Sequence, residues 1–111
     1  MKTRIPQKGD FIAVNLDPQS GHEQKGRRPA LVVSNTLFNE RTGFAIVCPL
    51  TTADRGYPFH VPVIDNSRVK GFVMVEQVKS IDYRARQTRN IGKASESLID
   101  EVLSILDACI Y

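Results

Sequence analysis

Short apolar stretches set off by turn-forming residues dominate the first three quarters of the chain, and the period changes only near the end. Phe11-Ile12-Ala13-Val14-Asn15-Leu16 is preceded by Gly9-Asp10 and closed by Asp17-Pro18, the punctuation of a strand. The same signature recurs at Ala30 to Ser34, Phe44 to Cys48, Phe59 to Ile64 and Phe72 to Val78, each bounded by Gly, Pro, Asn or Asp. Pro62 cannot donate to a ladder, so the fourth stretch is expected at a sheet edge. From Leu98 onward the apolar positions are Leu98, Ile99, Val102, Leu103, Ile105, Leu106, Cys109 and Ile110, a broad stripe on one side of a helix. Ser95 or Ser97 can cap it, the latter in a Ser-x-x-Asp box with Asp100, and Glu96 suits the positive end of the helix dipole. Five short strands and one amphipathic helix predict a mainly β domain with a C-terminal helix, a small barrel across which the helix packs.

With 111 residues, the pattern describes one domain covering 1–111, because two would each have too little interior to bury. The longest unbroken apolar run, Phe44 to Cys48, is far too short to cross a bilayer, and no apolar stretch follows the basic start to mark export. A cytoplasmic protein without membrane contact is the expectation. Cys48 and Cys109 lack the paired spacing of a zinc or redox site and are expected as buried small hydrophobes. Neither a metal nor another cofactor is called for.

Charge changes the picture more. All fifteen basic residues lie before Ala94 against eight acids, so the first 93 residues carry +7 and the acidic end holds only Glu96, Asp100, Glu101 and Asp107. Lys25-Gly26-Arg27-Arg28 and Arg84-Ala85-Arg86-Gln87-Thr88-Arg89, the latter flanked by Lys79 and Lys93, are clusters suited to a polyanion, although either alone is also what a solvated surface looks like. Between Leu16 and Ala30 the connection is long for so small a domain and dense in acid, base, imidazole and amide, which favours a functional loop. Pro29 biases Arg28 toward an extended backbone at the mouth of the next strand. At Pro49-Leu50-Thr51-Thr52 two hydroxyls emerge where a buried strand ends.

Taken in order, Gly9-Asp10, Asp17-Pro18, Gly21-His22-Glu23-Gln24, Arg28-Pro29-Ala30, Pro49-Leu50-Thr51-Thr52, Gly56-Tyr57-Pro58-Phe59 and Glu76-Gln77-Val78-Lys79-Ser80-Ile81-Asp82 resemble the MazF/PemK family, the ribonuclease toxins of bacterial toxin–antitoxin pairs. The resemblance spans nearly the whole chain. It implies an SH3-like barrel, a homodimer, metal-independent cleavage of single-stranded RNA at short, ACA-like sequences, and a cognate antitoxin whose acidic, flexible tail occupies the RNA surface. It also assigns Arg28 and Thr51 the family's catalytic positions, with Glu23 an acid tied to activity. The chemistry suits those residue types. Cleavage that uses the neighbouring 2′-hydroxyl needs donors for the extra charge on the phosphoryl oxygens, which Arg28 and Thr51 supply. A guanidinium is a poor base, so Glu23 either takes the proton or aims Arg28.

Lys25, Arg27, Thr52, Tyr57, Lys79, Arg84 and Arg86 are the expected RNA-binding residues. Arginines clamp phosphates and Tyr57 can stack a base. For Arg86 a structural role, with Asp82 as ion-pair partner, weighs equally. His22 and His60 are expected as surface or partly packed histidines, not as an acid–base pair, and Phe59 as core. The rival reading is a non-catalytic toxin of the same fold that binds a protein such as gyrase. Glu23, Arg28-Pro29 and Thr51 together favour the nuclease, as does the lack of the gyrase poisons' terminal Trp-Gly-Ile.

Overall fold

The computed structural model describes residues 4–15, 27–64 and 66–111. Among these residues, seven strands form one antiparallel arrangement with two α-helices. Strand β1 (Asp10–Asn15) pairs with β2 (Arg27–Val32) on one side and with β7 (Arg89–Lys93) on the other. Helix α1 (Thr36–Thr42) leads from β2 into β3 (Phe44–Thr51). The first half of β3 pairs with β6 (Lys79–Asp82), its last two residues pair with β5 (Phe72–Met74), and β4 (His60–Pro62) completes that edge. The path β4-β5-β3-β2-β1-β7 stays open, so the sheet curls in a barrel-like manner without closing. Helix α2 (Glu96–Ile110) ends the chain.

Alternation along the strands sorts the core into two clusters. Phe11, Leu31, Cys48, Leu50, Val61 and Val73 face one way and meet Leu98, Ile99 and Val102 of α2, as the apolar stripe predicted. Ile12, Val14, Ala30, Val32, Ala45, Val47, Ile81 and Tyr83 face the other way. The α2 cap is Ser95, whose hydroxyl accepts from the Leu98 amide at 3.2 Å, rather than Ser97.

Several expectations change. The stretch from Phe59 narrows to three paired residues, and Phe59 itself is 43% exposed rather than core, because its side chain precedes the ladder. The run from Phe72 pairs only to Met74; Val75–Gln77 then forms a 3₁₀ turn, with the Val75 amide donating to the Phe59 carbonyl. Helix α1 was not foreseen. It is built by its ends: the Asn35 side chain accepts from the Phe38 amide, and Gly43, at φ +77°, takes the left-handed conformation that closes it. Its Asn39 is fully buried, bonded through Nδ2 to the Pro6 carbonyl, while its own carbonyl accepts from the Tyr83 hydroxyl. Strands β6 and β7 were also missed, since KSID and RNIGK are mostly polar and exposed.

The two cysteines part company. Cys48 is fully buried, and burial, with the nearby Glu76 charge adding to it, pushes its thiol up from 9.0 to about 12. Cys109 is exposed, because the helix stripe runs beyond the sheet it covers. One fast-reacting thiol is therefore expected when native protein meets a thiol reagent at pH 8, and Cys109→Ser should remove it. The shift also has a sign for stability: Cys48 stays neutral in the fold, so its contribution is intact below pH 9 and declines as the pH rises above it.

Candidate active site

Register brings the site together. Ala30 lies across from Pro49 at the end of the β2–β3 ladder, and strand alternation puts Arg28, two residues before Ala30, and Thr51, two residues after Pro49, on the face those two residues share. Directly opposed residues of an antiparallel pair point to the same face. Arg28 is opposite Val14, so this is the face of the second core cluster, whose apolar packing ends where Arg28 and Thr51 begin. Lys79 joins them, because Val32, Val47 and Lys79 form one cross-strand row on that face. Three strands thus set two cations and a hydroxyl on a common surface.

Local bonding says what each group has free. Thr51 Oγ1 accepts from the Ala53 amide at 3.1 Å, a turn that fixes the hydroxyl and leaves its own proton to donate. Arg28 is half-buried, and its guanidinium makes no hydrogen bond to another described residue. Its neighbour is different. Arg27 projects to the opposite face, donating from Nη1 to the Ala13 carbonyl at 3.1 Å and from Nη2 to the Gln87 carbonyl. Arg86 donates to the Asn15 carbonyl at 3.2 Å, so two arginines join the 83–88 turn to the end of β1. That turn is capped by Asp82, whose carboxylate accepts from the Ala85 amide, and among the described ion pairs Asp82, one candidate ion-pair partner for the arginine cluster, has no arginine partner. Arg84 lies over the Tyr83 ring with its guanidinium carbon 5.9 Å from the centroid. Arg86 also lines a cleft of about 480 Å³ with Asn15, Phe44, Ser80 and Asp82, whose lining includes neither Arg28 nor Thr51.

Thr52 and Tyr57 lie on the connection from β3 to β4, both exposed. Glu23, Lys25 and His22 lie outside the described residues. Among the described residues no three His, Cys, Asp or Glu gather to hold a metal ion.

Two features of the site escaped the sequence. His60 is neither surface nor loosely packed: its side chain is 3% exposed, and Nε2 is 2.8 Å from Glu76 Oε2. Its ring meets Tyr57 edge-on, centroids 5.0 Å apart. The second is Gly71, at φ +119°, where a Cβ would collide with the Thr51 carbonyl oxygen. A lone His beside Pro62 and a Gly before a strand carry no such signal, because both partners come from sheet register.

Residues 7–110 match the family described as PemK-like, MazF-like toxin of type II toxin-antitoxin system. The endoribonuclease toxin MazF of Escherichia coli is 45% identical over 88 residues, covering 79% of this chain and 78% of MazF. The endoribonuclease toxin ChpB of the same organism is 39% identical, covering 94% and 93%. A MazE-MazF crystal structure from Deinococcus radiodurans superposes with a TM-score of 0.89 at 36% identity, covering 97% of each chain. The chain therefore belongs to the PemK/MazF family of type II toxins.

Proposed function

We infer that this toxin is an endoribonuclease that cuts single-stranded RNA at short sequences without a metal ion and is neutralised by a cognate antitoxin. The observation that supports it best is that strand alternation puts Arg28 and Thr51 on one sheet face at the end of the β2–β3 ladder, with Lys79 on the same face. A phosphate seated between Arg28 and Thr51 meets a cation and a free hydroxyl proton, while Lys79 engages the backbone further along the strand.

In the reaction, the 2′-oxygen attacks the adjacent phosphorus as the bond to the 5′-oxygen breaks. Arg28 stabilises the negative charge gathering on the non-bridging oxygens, and the Thr51 hydroxyl donates to one of them. Glu23 takes the 2′-hydroxyl proton, or orients Arg28 while solvent takes that proton; the leaving 5′-oxygen collects a proton, from Arg28 or from solvent. The products are a 2′,3′-cyclic phosphate and a 5′-hydroxyl. Thr52, Lys25 and the exposed Tyr57 extend the surface along the RNA. Arg84 remains a phosphate contact, whereas Arg27 and Arg86 are partly committed to backbone carbonyls. We place the toxin in the cytoplasm as a homodimer. A positive groove of this kind suits an antitoxin tail that is acidic and flexible.

The test is cleavage of a long defined RNA in EDTA, with fragment ends sequenced and their phosphates identified. Recurring cuts with cyclic phosphate and 5′-hydroxyl ends, slowed at least about 100-fold by Thr51→Ala, are expected from the loss of one transition-state donor. Folded protein that leaves RNA intact and arrests a topoisomerase would replace this reading with the gyrase-binding one.

A further inference from the structure

The most unusual group near the site is an acid. Glu76 sits on the 3₁₀ turn after β5, on a protein whose body is basic and whose substrate is a polyanion. A carboxylate there repels phosphate, and the only hydrogen-bond donors RNA can offer it are 2′-hydroxyls and the edges of its bases. The structure holds that carboxylate in place. Oε2 is tied to buried His60, and the other oxygen, Oε1, has no hydrogen-bond partner among the described residues. A carboxylate accepts, so His60 Nε2 donates to it, and Nδ1 is buried with no hydrogen-bond partner among the described residues.

His60 also faces the site. In the ladder β3-β5-β4, Thr51 is opposite Phe72 and Phe72 opposite Pro62, while His60 is opposite Met74. His60, Pro62, Phe72, Met74 and Thr51 therefore share a face. On its other side His60 meets the ring of Tyr57, which is 50% exposed. One buried imidazole thus fixes both an exposed aromatic ring and a carboxylate with a free acceptor.

We propose that His60 positions Tyr57 and Glu76 as a base-reading pair, in which Tyr57 stacks one base of the single-stranded RNA and Glu76 accepts from that base's exocyclic amine. Adenine, cytosine and guanine carry such an amine; uracil does not. Glu76 is then a specificity-determining residue and His60 a positioning residue. This rests on the ribonuclease reading.

The experiment uses full-length protein and an oligoribonucleotide containing the cut motif, its bases replaced position by position, with purine riboside in place of adenosine as a further probe. At one position wild type should cut the amine-bearing base about tenfold or more faster than uracil, the discrimination of a good base contact. Glu76→Gln keeps an acceptor for His60 and can turn an amide N–H outward, so the preference there should fall to about twofold or reverse, while other positions keep theirs. Tyr57→Ala should raise KM about tenfold with kcat little changed, as loss of base stacking does. His60→Leu should combine both defects. The half-exposed Glu76→Gln carries the test should His60→Leu fail to fold.

Unaltered discrimination in Glu76→Gln, or an equal loss on every RNA, would overturn the proposal and leave a structural pair. Wild type that cuts no RNA would overturn the ribonuclease reading itself, and that result is visible before any variant is made.

Discussion

Arg28→Ala is expected to cut a defined single-stranded RNA about 1,000-fold more slowly than wild type, with a melting temperature within a few degrees of it. Removing one preorganised donor to a developing oxyanion costs about 3–4 kcal/mol of transition-state stabilisation, and a full positive charge sits at the upper end. The fold should tolerate the change because the guanidinium bonds to no other described residue. Arg28→Lys should recover little, since a point charge does not reproduce a planar fork of donors. Arg27→Ala makes the internal control. It deletes hydrogen bonds to the Ala13 and Gln87 carbonyls, so its effect should fall on stability, by about 1–3 kcal/mol, and much less on kcat. The measurements are single-turnover cleavage and thermal unfolding of both variants. If the two arginines exchanged behaviours, the assignment of the active face would be wrong.

Among the described glycines, Gly71→Ala should be the most damaging substitution. Its φ of +119° lies where a side chain is strained, at a cost of about 1–3 kcal/mol, and the added Cβ runs into the Thr51 carbonyl. A backbone obstacle cannot rotate away, so β3 and β5 must separate where Thr51 pairs with Phe72. The expected result is a loss of about 4 kcal/mol in all, which at about 4 °C or more per kcal/mol for a domain of this size lowers the melting temperature by roughly 15 °C or more. Displacement of Thr51 adds a fall in kcat measured well below that temperature. A variant that melts early but cuts at the wild-type rate when folded would show that Thr51 need not be held this tightly.

Legibility followed chemistry closely. Apolar runs that pack on both faces, such as Ala30-Leu31-Val32 and Ala45 to Leu50, announce their strands because every residue is chosen for burial. Helix α2 announces itself because one side must cover the sheet. Strands β6 and β7 carry no such mark: they contribute chiefly Ile81 and Ile91 to the interior and otherwise present polar side chains. Helix α1 has a single buried residue, Asn39, so no apolar stripe exists to be read. The family resemblance singles out Arg28 and Thr51, whereas their sharing one face at the end of the β2–β3 ladder is a property of the folded sheet. The same holds more strongly for His60 and Glu76, sixteen residues apart and joined only when β4 aligns on β5.

The joining of β1 and β2 has a further meaning. Asn15 and Arg27 are partners in the ladder, and the arginine clamps from Arg27 and Arg86 secure the same spot. Segment 16–26, which carries Glu23, therefore starts and finishes at one fixed rung. Its closure is already imposed by the sheet, and doubling its length would add only about 0.6 kcal/mol of entropy. The entropy of closing the segment that carries Glu23 is thus met by the fixed pairing of its two flanking residues, Asn15 and Arg27.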